Sequence, residues 1–450
     1  MRVTPTGEVL GEVQSLQLYT YTQCTYEKGT VVQGSQEGWI EMKPCEYTEN
    51  GTTITCWEAN VVPSYEITKL MANNDNKERN LSAAITPEAG SYYNITLDKD
   101  KGYTDDGQGN YTVTSAEGLK NIAKLVNEEG KTDIDITLTG NITLTGEWTP
   151  IGIDYNHRYA GTFDGGGHTI TGLTATTSDQ YAGLFGRIGS GGKVKDVTLK
   201  DVKIESNNGM GCVGGVAGWS YGNIENCSVS GSVSGSGMNG VAGGVVGYQS
   251  GGSLTGCSSS ATVKGVTYAG GIAGSTNSGA TLTACYATGD VTLVSNDIGT
   301  CYAGGVVGNN GSSSTLKACY AWGNVIGSGS GTIYAGGVTG TNDSGTLTAC
   351  YHAKGTVSGP DGATGGVAGR NFKDSMFGGG IITACYWGSN GQTQGIGENQ
   401  AGTTGETTKV TDGDWSGAKD AMNDALTAEN ESWRYQINLV NSLLELTQNQ

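Results

Sequence analysis

Apolar positions recur along this chain at long, regular intervals. An element Gly-Gly-[Val/Ile]-x-Gly occurs at 214–218, 243–247, 270–274, 304–308, 336–340 and 365–369, so successive starts lie 29, 27, 34, 32 and 29 residues apart. A degenerate forerunner, Gly183-Leu184-Phe185-Gly186, stands one repeat earlier. Each full element is followed by an aliphatic residue and then a cysteine: Ile224/Cys227, Leu254/Cys257, Leu282/Cys285, Leu316/Cys319, Leu347/Cys350 and Ile382/Cys385. Most copies close on a valine: Val233, Val263, Val291, Val325 and Val357. One unit thus holds three short apolar segments separated by Gly, Ser, Thr and Asn. Three short strands joined by turns make one coil, and a coil that cannot bury its own apolar face must stack on another. Stacked strands lie ~4.8 Å apart, so seven coils build a rod segment of roughly 35 Å. The repeat region has no 3.6-residue period, which removes a helical solenoid. Its unit is too short for a four-stranded propeller blade.

The flanks follow other patterns. Thr114-Ser115-Ala116-Glu117 reads as a capping box with Thr114 at the N-cap. Leu119, Ile122, Ala123, Leu125 and Val126 then fall at helical spacing, with Gly130 as the stop. We read a helix over 115–129 that covers the N-terminal mouth, because a terminal coil exposes strand edges. Near the other end Trp415, Ala418, Met422, Ala425 and Leu426 share a helical face, and 433–446 reads as extended. Residues 1–100 contain no repeat. Their alternating stretches, 13–19 and 92–97, predict a small antiparallel β-sandwich. The expected organisation is therefore a β domain over 1–100, a coil stack over 101–395 and a C-terminal cap over 396–450.

The repeating unit is clearest from Gly270-Gly271-Ile272-Ala273-Gly274 through Cys285-Tyr286-Ala287-Thr288-Gly289-Asp290-Val291. It resembles the GLUG repeat of bacterial surface and secreted proteins. Trp148-Thr149-Pro150-Ile151-Gly152 and 161–170 resemble the first coils of the same family, so the likeness covers roughly residues 110–440. It implies an all-β fold, a right-handed parallel β-helix with helical caps, and a location at the cell surface or outside the cell. The family pattern ends with a proline before the last apolar pair, where this chain has Leu443-Leu444. Residues 1–100 resemble the fimbrillin-like domains that precede GLUG regions, incomplete at their start.

Composition narrows the function classes. Glycine reaches 77 residues against 6 prolines, without the triplet period of collagen. The net charge is −18 with 25 Lys+Arg, which argues against nucleic acid as a partner. No stretch reaches the ~20 apolar residues of a membrane span. The first residues, Met1-Arg2-Val3-Thr4-Pro5-Thr6, lack the apolar run of a signal peptide and read as the interior of a domain. The 11 cysteines include no Cys-x-x-Cys and there are 3 histidines, so neither a metal site nor a cofactor is expected.

Three sets of residues are candidates for chemistry. The cysteines Cys227, Cys257, Cys285, Cys319, Cys350 and Cys385 would lie ~4.8 Å apart in a stack, within reach of disulfides. Val197 holds the matching position in the first coil, and valine needs only apolar bulk, so we expect a core ladder of six buried thiols. Leu282 and Cys285 are three apart, so both face inward only if the chain bends between them. Tyr286, Tyr320, Tyr351 and Tyr386 each follow a repeat cysteine, with Trp322 and Trp387 nearby. These six are the expected ligand contacts, on the premise that an outward aromatic ladder suits sugar rings; cross-strand stacking is the structural alternative. A second row, Tyr268, Tyr302 and Tyr334, precedes the Gly-Gly elements and is read the same way.

No catalytic set emerges. The acids between Gly209 and Gly397 are Glu225, Asp290, Asp297, Asp343, Asp361 and Asp374, and no two share a repeat position in neighbouring coils. Glycosidic chemistry needs paired acids. Asp164 and His168 are the best isolated candidates, in a turn where Asp is ordinary. We therefore expect a non-catalytic adhesion or fimbria-associated protein, with host or matrix glycans, proteins or fimbrial subunits as partners. A polysaccharide lyase or glycoside hydrolase on a β-helix is the alternative.

Overall fold

The computed structural model describes all residues except 7–11, 29, 73–77, 98–100, 178, 297–298, 361–362, 412, 439–441 and 449–450. Asp297 and Asp361 lie outside the described residues. The chain divides into two units, Met1–Asp100 and Lys101–Gln450.

The first unit holds two four-stranded sheets. Leu16–Glu27 pairs antiparallel with Thr30–Glu41 and Ile67–Ala72, and Lys43–Glu49 with Thr52–Glu58. Arg2–Pro5 joins Asn94–Leu97 in parallel. Val3, Trp57 and Leu97 from one sheet share a core with Leu16, Leu18, Ile67 and Leu70 from the other.

The second unit is a parallel β-solenoid. Register carries one inward position through the stack: Tyr111, Ile136, Phe163, Val194, Ile224, Leu254, Leu282, Leu316, Leu347 and Ile382 are consecutive partners. Every one of these side chains is at most 4% exposed. A coil has five strands rather than the three expected, as in Tyr268–Gly270, Ala273–Asn277, Thr281–Thr283, Tyr286–Ala287 and Val291–Ser295. One extra strand arises because Gly-Gly is a corner and not a strand centre, and the other because the chain breaks again at the residue before the ladder cysteine. A Cβ on Gly304 would sit 2.0 Å from the Val307 carbonyl, and one on Gly271 2.2 Å from the Gly305 carbonyl. Only glycine lets the chain turn there against the next coil.

The bend required between Leu282 and Cys285 is present. Ala284 has φ 57°, and the same left-handed residue precedes each ladder cysteine: Asn226, Gly256, Ala318, Ala349 and Ala384. Asp196, before Val197, has it too. One left-handed residue breaks the two-residue alternation, so both neighbours face the core.

Helix α1, Ala116–Asn127, closes the N-terminal mouth with Leu119, Ile122, Leu125 and Val126 in the solenoid core. Its N-cap is Ser115, which accepts from the Gly118 N–H at 3.1 Å, not Thr114. The Thr114 N–H instead donates to the Gly102 carbonyl, which holds that residue in the preceding turn. Strands Ile396–Asn399 and Thr404–Lys409 continue the stack, so the solenoid extends past 395. Helix α2, Ser416–Ala428, and the hairpin of Trp433–Ile437 with Leu444–Gln448 then cover a flank of the coils.

Candidate binding surface

The cysteine ladder lies wholly inside. Cys227, Cys257, Cys285, Cys319, Cys350 and Cys385 are free thiols, each at most 1% exposed. From Cys257 to Cys350 each thiol points at a carbonyl of the preceding coil, those of Ile224, Leu254, Leu282 and Leu316, at 3.4–3.6 Å. Burial pushes the Cys285 and Cys350 thiols well above the ordinary range. These groups are weak donors in an apolar stack and supply no ligand chemistry.

Cys385, the last rung, is buried like the others but held differently. It sits inside one continuous strand, Ile381–Trp387, whereas Cys285, Cys319 and Cys350 fall between two short strands of their coils. Its thiol lies 3.8 Å from the Leu347 carbonyl, and its sulfur accepts from the Cys350 N–H at 3.4 Å. The next strand sets Thr407, not a cysteine, opposite it, and the register slips between Ile382 and Cys385. The slip has a simple cause. Gly405 and Thr407 are two residues apart and sit opposite Ile382 and Cys385, which are three apart. Thr404–Lys409 lacks the left-handed residue that makes the three-residue spacing possible. A bulge at Cys385 absorbs the difference, and the ladder ends there with a thiol neighbour on one side only.

The tyrosines after the cysteines leave the coil outward, yet they do not form a free surface. Tyr286 and Tyr320 stack at 4.9 Å and 5°, and Tyr320 and Tyr351 at 4.9 Å and 14°. Rings stacked this way cover one another's faces, which are the parts a sugar would use. Tyr320 and Tyr351 are 4% and 0% exposed. Trp415 and Tyr435 pack on Tyr351 at 5.1 and 5.5 Å, and the Tyr435 hydroxyl donates to the Ala349 carbonyl at 2.8 Å. Lys317 pairs with Glu429 and Glu431 at 2.6 and 3.3 Å, fixing the end of α2 to the coils. The expected ligand row is therefore a docking strip for the chain's own C-terminal segment, which buries its apolar surface. Tyr386 and Trp322 pack against the same cluster. Trp387 turns the other way and is 5% exposed in the solenoid core. Tyr286, Tyr320 and Trp322 still border a cleft of about 330 Å³ with Trp433 and Glu445.

The second row lies outside that docking strip. Tyr268, Tyr302 and Tyr334 are successive partners on the strands before the Gly-Gly corner. Their rings lie 5.6 and 5.9 Å apart and are tilted by 20° and 24°, so they stack more loosely than the covered row. On the strands after the corner, the register Arg187, Trp219, Tyr248, Ser275, Asn309, Thr341, Arg370, Glu398 runs beside them. The two rows share one face. Tyr181 meets Trp219 edge-on at 6.1 Å, Arg370 lies 5.3 Å from the Tyr334 ring, and the Tyr334 hydroxyl donates to Glu398 at 2.5 Å. Asn277 donates to the Tyr248 hydroxyl at 2.9 Å. Trp219, Tyr248, Tyr268 and Tyr302 are half-buried, whereas Tyr334 is closed over at the end of the row. The result is an aromatic stripe interleaved with amide, hydroxyl and charged groups, running from the coil of Tyr181 to that of Arg370. Sequence reading named Tyr268, Tyr302 and Tyr334; Tyr181, Trp219, Tyr248 and the two arginines came into the stripe only through register.

The acids divide between structural and electrostatic roles. Burial raises the Asp164 carboxyl, but the hydrogen bond from Lys195 at 2.5 Å and the Gly166 N–H outweigh it and hold the group below its usual range. Asp164 is thus a paired turn residue. Asp343 behaves oppositely: burial and then the neighbouring Asp374 raise it, against Arg370, and its Oδ1 has no hydrogen-bond partner. Among the described residues, only Cys45, Cys56 and Glu58 meet at metal-ligand spacing, and there Arg2 already pairs with Glu58 at 2.6 Å. No helix among the described residues is long and apolar enough to cross a membrane.

Coils closed by Gly-Gly corners around an aliphatic and cysteine ladder define a parallel β-solenoid of GLUG-type repeats. The model of the GLUG motif matches residues 210–234 and 238–264. The chain is 31% identical over 186 residues to halomucin of Haloquadratum walsbyi, a match covering 38% of this chain and 2% of halomucin. It is 35% identical over 123 residues to a protein of Evansella cellulosilytica provisionally named a Gly-rich membrane protein, covering 26% and 14%. The chain therefore spans a small part of either relative. A Bacteroides ovatus crystal structure, provisionally named an immunoglobulin A1 protease, aligns with TM-score 0.47 at 16% identity over 78% of this chain and 96% of that one.

Proposed function

We propose that this chain is a non-catalytic surface or extracellular protein that binds glycan along the open aromatic stripe, with residues 1–100 serving attachment or assembly. The observation that carries the reading is that Tyr268 and Tyr302, unlike Tyr320 and Tyr351 under the C-terminal segment, keep part of their rings at the surface, in a row with Trp219, Tyr248 and Asn309. Trp219 and Tyr248 cover each other's facing sides at 4.1 Å and 11°, so the phenol hydroxyls, the amides and the outer parts of the rings are what the hydroxyls and C–H faces of a sugar polymer would meet. Equivalent positions recur every ~4.8 Å, so weak contacts along one polymer chain add. The name of the E. cellulosilytica relative, a membrane protein, supports the surface location.

Glycan-array binding by the purified chain tests this. Tyr302→Ala and Trp219→Ala should each weaken the best ligand about five- to tenfold while the melting temperature moves little. If neither the array nor cells and matrix retain the wild-type chain, the binding assignment fails and a scaffold role stands.

A carbohydrate-active enzyme is favoured by one observation, the raised Asp343 carboxyl beside Arg370 on the same stripe. Perturbed carboxyls beside a cation are a feature of catalytic sites and also of structural networks. Our expectation is that acidic and neutral polysaccharides release no reducing or unsaturated ends. Turnover that disappears in Asp343→Asn would establish the enzyme instead.

A further inference from the structure

The described residues leave one buried cation without a counter-charge. Arg187 is 8% exposed, and its Nε is buried with no hydrogen-bond partner. None of the ion pairs among the described residues includes it. Its guanidinium instead lies 4.7 Å from the Tyr181 ring, 5.5 Å from Trp219 and 5.6 Å from Tyr155. At the far end of the same register the Nε of Arg370 likewise makes no hydrogen bond, but it keeps a carboxylate from the next coil, Glu398, as an ion pair at 3.3 Å. Where Arg370 meets an acid, Arg187 meets Trp219. Burying an ion without a partner is costly, and aromatic faces compensate only part of that cost. The asymmetry is pronounced in a chain with 43 acids and 25 bases, where a neutralising carboxylate is easily supplied.

We propose that Arg187 is the receptor for an anionic substituent, a carboxylate or sulfate, on an acidic glycan whose chain continues along the stripe over Trp219 and Tyr248. The reading rests on the glycan-binding role given above and narrows it to a ligand class. A guanidinium presents a planar fork of donors that matches both anions. Its ring cage holds that fork in place before the ligand arrives, so little ordering is left to the binding step. Tyr155, 62% exposed, flanks the site from the solvent side.

The test compares polymers that differ only in charge: polygalacturonate against its methyl ester for the carboxylate, and dextran sulfate against dextran for the sulfate. Binding of each is measured by calorimetry to wild type, Arg187→Gln, Arg187→Lys and Trp219→Ala. We expect wild type to prefer the charged member of at least one pair by about tenfold or more. Arg187→Gln should erase that preference, with Arg187→Lys intermediate. Loss of the buried charge should leave the unliganded melting temperature equal or higher, which separates the effect from misfolding. Equal affinity for charged and neutral members, or a preference that survives Arg187→Gln, overturns the role of Arg187 and leaves glycan binding standing. Absence of binding to all four polymers, with a negative array, removes both readings.

Discussion

One backbone conformation explains why a residue as reactive as cysteine can repeat through this core. The left-handed residues at 284, 318, 349 and 384 are alanines, for which this conformation costs ~1–2 kcal/mol each. Stacking of both the aliphatic and the cysteine ladder offsets it. Alkylation of Cys285, Cys319 and Cys350 should therefore wait for unfolding; rapid labelling of the native chain would contradict the inward ladder. Ala384→Gly should be near neutral, whereas Ala384→Val, which tolerates a positive φ poorly, should cost ~2 kcal/mol or more in a denaturant titration. His352 adds a pH dependence. It is fully buried, with Nε2 at 3.0 Å from the Gly323 carbonyl and Nδ1 at 3.0 Å from the Asn390 amide. Burial lowers its pKa from 6.5 to about 4. Between these values the unfolded chain binds a proton that the folded chain refuses. The stability associated with the neutral ring is complete above pH 6.5 and declines as pH falls toward 4, by about 3 kcal/mol in all. A His352→Gln variant should lose that part of the pH slope; an unchanged slope would show the imidazole to be irrelevant.

Among the elements, the C-terminal segment has the most to explain. An amphipathic helix after a solenoid suggests a plug for its open end, as α1 is at the other. Instead α2 and the hairpin lie on the flank, where stacked tyrosines offer a long apolar strip and Lys317 offers a charge partner. Trp415, 3% exposed against Tyr351, anchors the segment. Trp415→Ala should cost about 3–5 kcal/mol and expose Tyr320 and Tyr351 to solvent, read as a fluorescence change before the coils melt. If the variant melts like wild type, the segment is not seated there. A second device within the coils is the line of buried amides. Asn310 donates to Asn342 at 2.8 Å, Asn342 to Asn371 at 3.0 Å and Asn371 to Asn399 at 3.1 Å. These side chains also bond turn carbonyls such as Gly345 and Gly380, which pins the corners in register.

For the whole molecule, stability is distributed along one dimension, because each coil contacts mainly its neighbours. The two units have separate cores. A fragment covering 101–450 should keep its strand circular dichroism and melt cooperatively without the first hundred residues. An unfolded fragment would show that the solenoid depends on the first unit.

Residue spacing alone determined the parallel solenoid, its capping helix and the identity of the inward ladders. A stack of like coils forces equivalent residues together, so periodicity in sequence is periodicity in space. Helix α1 was legible for a similar reason, since its apolar face is local; its cap was read one residue early, because Thr114 is held in the preceding turn by Gly102. The number of strands per coil was not, because Gly-Gly reads as part of one apolar strand until the neighbouring carbonyls are seen pressing on it. The bulge that ends the thiol ladder at Cys385 was hidden too, since it depends on which strand stacks above it. Nor was the fate of the aromatic rows visible. Both follow the same outward logic in sequence, and the choice between cover and exposure was made by a segment up to about 160 residues away from Tyr286. Tertiary structure decided it because the C-terminal helix and hairpin bury their apolar surface, and satisfy Lys317, on that one flank. The unpaired state of Arg187 belongs to the same category: an absent partner is a property of three-dimensional neighbourhood, and no local pattern encodes it.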